Sequence, residues 1–188
     1  MKMANISKEA SDLLVKNGLF SVPVDLEKLS DHLGATIHRE PLEDEVSGML
    51  VITEGTKHIV VNKNHHLNRQ RFTIAHEIGH LCLHHKDGDQ LFVDNKLAVY
   101  NRIGTPSSNA YSAPNSTTTS DEERQANSFA AALLMPEALL RTYIDSRQLD
   151  ISDEFDISVL ANAFCVSEQA MTIRLNSIKL IEYSNNLL

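Results

Sequence analysis

Apolar residues recur at helical spacing through Ala10, Leu13 and Leu14 and stop at Gly18, which predicts a short first helix. A second is expected to begin after Asp25, a good N-cap behind Pro23 and Val24, and to end at Gly34. The period then shortens to two. The β-branched runs 35–39 (ATIHR), 46–52 (VSGMLVI) and 57–62 (KHIVVN) read as strands, the last two joined through Thr53-Glu54-Gly55-Thr56 as a hairpin in a small sheet.

Helical periodicity returns from Arg69 to His85 (RQRFTIAHEIGHLCLHH), with apolar residues almost all round, as in a helix buried in the interior. Residues 104–120 hold nine Ser or Thr and two Pro, and are expected to form a mobile polar loop. A strong helix is predicted for Asp121 to Met135, and another opens at Pro136 and runs to about Arg147. The remainder reads as a helix ending at Phe164, a tight turn at Cys165 and Val166, and a helix capped by Ser167 running to about Ser177.

At 188 residues, with 42% hydrophobic and 22% charged residues, the chain has the composition of one folded domain, not of a disordered or collagenous chain. We expect one domain over residues 1–188, with its core at 20–147 and a C-terminal helical subregion at 150–182. A formal net charge of −8 offers no global basic field for a phosphate backbone. Cys82 and Cys165 are too few and too far apart for a disulfide framework, and no run approaches the ~20 apolar residues of a membrane span. No leader is visible in the first residues, so a cytoplasmic protein is expected. Nine histidines and no tryptophan are the compositional oddities.

Five residues carry the most information: His76-Glu77-Ile78-Gly79-His80, inside the buried helix. Residues four apart stack on one helix face about 6 Å apart at Cβ, so both imidazoles can converge on one zinc ion at ~2.0 Å. Glu77, turned about 100° from His76, flanks that face in a general base's position. Were these merely core histidines, a nearly apolar helix would bury polar groups without partners, at a cost of a few kcal/mol. A third ligand is needed. His84 lies about 12 Å of helix rise from His76 and cannot share the ion. The longer metzincin pattern fails as well, since the chain has Leu83 and Lys86 where it needs Gly and His. A carboxylate from the helix beginning near Asp121 remains. Thr119 with Glu122, or Ser120 with Glu123, matches a capping box, so spacing leaves Glu122 and Glu123 open. Asn127, one turn after Glu123, is placed to hydrogen-bond a ligating imidazole. Cys82, about 240° round from His76, is expected in the core, and His65 and His66 as exposed loop residues.

These stretches resemble the ImmA/IrrE family of zinc metallopeptidases. The residues that carry the likeness are Arg71 to Leu81 (RFTIAHEIGHL), Glu123 to Ala131 (ERQANSFAA) running into Leu133-Leu134-Met135-Pro136, and the C-terminal helix pair, with weaker similarity at Pro23-Val24-Asp25-Leu26 and Val60-Val61-Asn62. Together they span about residues 20–182. The resemblance implies that Glu123, three before Ala126-Asn127, is the third ligand of one zinc ion. It implies an α+β fold, a small antiparallel sheet packed on a zincin-like helical core with a C-terminal helix-turn-helix-like pair. It also implies proteolysis of one protein partner, typically a helix-turn-helix transcriptional repressor of a mobile element or stress regulon. In such a site zinc polarises the scissile carbonyl and acidifies a water, while Glu77 moves the proton. His84, His85, Tyr100 and Tyr111 are unranked candidates for stabilising the oxyanion. The chain departs from the family at Cys165, where the last helix pair usually turns on Gly, and in the length of the Ser/Thr-rich segment.

Two rival readings belong to other classes. Residues 156–177 are shaped like a helix-turn-helix, which suggests a DNA-binding regulator. From Asp150 to Leu188, however, six acids face only Arg174 and Lys179, and no direct nucleic-acid contact is expected. The other rival is a non-catalytic, zinc-stabilised interaction module.

Overall fold

The computed structural model describes residues 3–84, 90–95 and 119–181. Helix α1 (Met3–Lys16) buries Ile6, Ala10 and Leu14, one residue per turn of one face, and ends where Gly18 adopts φ +67°. Helix α2 (Leu26–His32) starts at Asp25, whose side chain accepts from the Lys28 amide at 3.1 Å.

Strands β1 (Ala35–Glu40), β2 (Val46–Thr53), β3 (Thr56–Asn62) and β4 (Gln90–Asn95) form one sheet in the order β1-β3-β2-β4. The β2–β3 hairpin turns on Glu54 (φ +49°) and Gly55 (φ +78°), the two positive φ values of a tight two-residue turn. Alternation sends Leu50, Ile52, Ile59 and Val61 into the core. The chain adopts the α+β class expected, with a mixed sheet where the expectation was antiparallel throughout. Strand β1 lies parallel to β3, with Ile37 opposite Ile59, because the connection 41–45 passes over the end of β3 to reach β2. Asn62 holds that crossing. Fully buried at the end of β3, it donates to the carbonyls of Leu42, Glu43 and Val46 at 3.3, 3.1 and 2.9 Å and accepts from the Leu42 amide at 3.4 Å. Strand β4 has no counterpart among the expected elements; it pairs antiparallel with β2, Phe92 opposite Leu50.

Helix α3 (Leu67–Leu83) packs across β2 and β3. Gly48 of β2 permits the approach, since a Cβ there would lie 2.5 Å from the Thr73 methyl and 2.6 Å from the Val60 carbonyl oxygen. Helix α4 (Ser120–Leu134) lies against α3 on one side and α1 on the other. Helices α5 (Glu137–Arg147), α6 (Glu154–Phe164) and α7 (Glu168–Ser177) follow, within a residue or two of their expected bounds. One hydrophobic core joins Ile6 and Leu14 of α1 to Phe164 and Leu175 of the last pair. No described helix is long and apolar enough to cross a membrane. The segment expected to be a mobile loop, 104–120, lies outside the described residues up to 118; its last two residues open α4.

Candidate metal centre

The four-residue spacing puts His76 and His80 one turn apart in the buried middle of α3, each about 1% exposed. Their rings meet edge to face with centroids 4.6 Å apart, and their Nε2 atoms are 3.0 Å apart. Glu123, in the first turn of α4, brings Oε2 to 3.4 Å from His76 Nε2 and Oε1 to 3.3 Å from His80 Nε2. Among the described residues these three alone form a cluster of metal-ligating type.

The capping box decides which acid faces the histidines. Thr119 is the N-cap; its hydroxyl accepts from the Glu122 amide at 3.3 Å, and the Glu122 carboxylate accepts from the Thr119 amide at 2.8 Å. Glu122 is thereby held back on its own helix end, and Glu123, one step round, turns inward. Gly79 sets how near α4 comes: a Cβ there would stand 3.1 Å from both the Cα and the carbonyl oxygen of Ala126. The small pair lets the two backbones approach and carries Glu123 within reach. The sequence does not disclose this part played by Gly79, because it depends on what lies across the interface.

Asn127 Oδ1 stands 2.9 Å from His76 Nδ1, so the ring donates its Nδ1 proton there and keeps a lone pair on Nε2. Burial pushes the His80 imidazole down to about 4, despite the Glu123 carboxylate beside it, so this ring is neutral at neutral pH. Burial alone would raise the Glu123 carboxyl; the His76 and His80 imidazoles beside it outweigh burial and hold Glu123 well below the usual carboxylate range. The His76 Nε2 lone pair, the neutral His80 ring and an anionic carboxylate thus converge among buried side chains. Two imidazoles and a carboxylate gathered this closely form a donor set that suits a cation. Ligands at ~2.0–2.1 Å in a tetrahedron stand ~3.3 Å apart, and the triangle's edges measure 3.0, 3.3 and 3.4 Å. The donor set and its spacing fit a zinc-sized ion.

Glu77 is fully buried on α3 and is not one of the three converging ligands. His80 stacks on Phe92 of β4, centroids 4.9 Å apart at 27°, so this fourth strand forms one wall of the site. His84 caps the end of α3, and its Nε2 lies 3.1 Å from the Glu122 carbonyl oxygen, joining the ends of the two metal helices rather than ligating. His85, Tyr100 and Tyr111 lie outside the described residues. His66 is exposed and serves as the N-cap of α3, accepting from the Asn68 amide at 3.3 Å, while His65 is half-buried. Cys82, expected in the core, is exposed: it falls on the side of α3 opposite the metal face, near the end where the helix leaves the core.

The C-terminal pair is fastened to both metal helices. The Asn68 side chain at the start of α3 donates to the Val166 carbonyl at 2.9 Å, and Arg174 Nε donates to the Met135 carbonyl at the end of α4 at 3.0 Å. Arg174 is 6% exposed.

None of the curated proteins matches the chain. The family model described as IrrE N-terminal-like domain, Peptidase_M78, matches residues 30–176, from the end of α2 to the end of α7, with every residue of the centre inside the match. By that match, over more than three quarters of its length, the chain belongs to the IrrE N-terminal-like family of peptidases.

Proposed function

We propose that the chain is a zinc-dependent metalloendopeptidase that cleaves one specific protein in the cytoplasm, of the kind represented by a helix-turn-helix transcriptional repressor of a mobile element or stress regulon. The observation that carries this reading is the buried His76–His80–Glu123 triangle, whose edges suit a tetrahedral ion and leave a coordination position open among the described residues. Zinc held there would polarise a peptide carbonyl and lower the pKa of a water. His76, its tautomer fixed by Asn127, and neutral His80 each offer Nε2 without first losing a proton. Glu77, adjacent to His76 on the same helix, takes the water's proton and hands it to the departing amine.

We assign residues 1–188 to one domain, with 20–147 as catalytic core and 150–182 as its buttress. The continuous hydrophobic core and the Asn68 and Arg174 bonds support this assignment. Burial of Arg174 also speaks against the DNA-binding reading, because the basic residue of α7 is spent on a backbone carbonyl instead of facing a phosphate. A non-catalytic zinc module needs no carboxylate beside the ligands, whereas Glu77 stands next to His76 on the same helix.

The test is Glu77→Gln, measured for zinc content and for cleavage of the repressor encoded beside the gene. We expect one zinc per chain in both proteins and cleavage slowed by roughly 10²–10⁴ in the variant. Equal cleavage rates would remove Glu77 from the chemistry, and absence of zinc from the wild type would remove the mechanism.

A further inference from the structure

We propose a second metal site, for a borderline divalent cation such as Zn2+, Ni2+ or Cu2+, between His38 of β1 and His58 of β3. The two strands run parallel, with Thr36 opposite His58 and His38 opposite Val60. His38 and His58 are therefore diagonal neighbours on the sheet face turned away from Ile59 and Val61, the core-facing residues of β3. Both are half-buried, their ring centroids are 5.1 Å apart, and His38 Nε2 lies 3.0 Å from His58 Nδ1. The primary centre has the same nitrogen to nitrogen separation.

The surrounding bonds set which nitrogen carries a lone pair. The Thr56 hydroxyl donates its single proton to the Thr53 carbonyl at 2.7 Å, so towards His58 Nε2, 3.3 Å away, it can only accept. The Nε2 of neutral His58 is therefore protonated and its Nδ1 carries the lone pair, which receives the Nε2 proton of His38. An ion takes the place of that shared proton. His38 keeps one N–H by moving it from Nε2 to Nδ1, and no proton is released. With bonds of ~2.0 Å, two nitrogens stand ~2.8 Å apart at adjacent corners of a square plane and ~3.3 Å apart in a tetrahedron. The observed 3.0 Å lies between these. Paired imidazoles select borderline ions over Mg2+ or Ca2+, which prefer oxygen. No third His, Cys, Asp or Glu ligand joins the pair among the described residues, so water completes the shell and the site is weaker than the primary centre. Binding would clamp the edge strand β1 to β3.

The test starts from the full chain carrying one equivalent of zinc. Ni2+ is titrated against a chromophoric chelator, and the ring nitrogens are followed by long-range ¹H–¹⁵N NMR. We expect the wild type to take a second ion that moves the His38 Nε2 and His58 Nδ1 resonances and leaves those of His32 and His66 in place. His38→Gln and His58→Gln should each weaken the second ion by at least about tenfold and leave the first unchanged. The proposal is overturned if the wild type takes no second ion, if the second ion binds both variants as tightly, or if the two ring resonances stay still. The NMR measurement on the wild type decides the matter even where a variant fails to fold.

Discussion

The helix pair α3–α4, and the α6–α7 pair where it meets the end of α4, both bury polar side chains, yet the two contacts are built differently. Across α3–α4, metal-ligating atoms face one another: His76 and His80 turn Nε2 towards each other and towards the Glu123 carboxylate. Across the boundary of α7, a donor meets an acceptor, Arg174 Nε on the Met135 carbonyl. The second arrangement is complete as it stands, whereas the first is the donor set of a cation site. A buried polar group thus signals chemistry when ligating atoms gather around it and scaffold when one donor meets one acceptor. The contrast matters because α6–α7 has the outline of a helix-turn-helix, and outline alone does not separate a DNA-reading pair from a buttress.

The largest effect expected from breaking this contrast is on the scaffold side. Arg174→Ala leaves the Met135 carbonyl buried without its donor and opens a void beside it, and should cost about 3 kcal/mol of folding stability. Urea unfolding would show the loss, while zinc stoichiometry of the folded protein stays at one. A loss well under about 1 kcal/mol would mean that Arg174 is no fastener. Asn127→Ala should do the reverse. The chain stays folded, but His76 loses the acceptor that fixes its tautomer, and zinc affinity falls by roughly 10–100-fold. Chelator competition measures this directly, and unchanged affinity would show that His76 is oriented by something else.

How much of this is legible in the sequence depends on whether a feature is local. The metal helix and its two ligands follow from spacing along α3, the position of Asn127 from its spacing after Glu123 on α4, and those residues are found together. Choosing between Glu122 and Glu123 requires knowing which register the capping box takes; the structure pairs Thr119 with Glu122. Three features lie beyond local reading. The parallel placement of β1 is set by the crossing that Asn62 holds, and period-two alternation is the same for either direction. Strand β4 has only Leu91, Phe92 and Val93 as an apolar run and becomes a strand through pairing with β2. Gly79 looks like a helix-weakening residue until Ala126 is seen across from it.

The smallest predicted effect sharpens the contrast at Cys165, where the sequence departs from the glycine usual in the family. Cys165 ends α6 with φ +54°, the left-handed conformation in which any side chain bearing a Cβ is strained by about 1–2 kcal/mol and glycine is not. Glycine is also more flexible when unfolded, and that entropy offsets part of the relief. Cys165→Gly should therefore raise stability by about 0.5–1 kcal/mol, or a rise in melting temperature of ~2–4 °C at most for a chain of this size. Because α6–α7 serves as scaffold, zinc affinity and cleavage should not move. If the variant were no more stable, contacts of the half-buried thiol would outweigh the backbone strain. If zinc affinity changed with it, the turn would be coupled to the centre through Asn68 and Val166, and the two helix pairs would no longer divide into chemistry and scaffold.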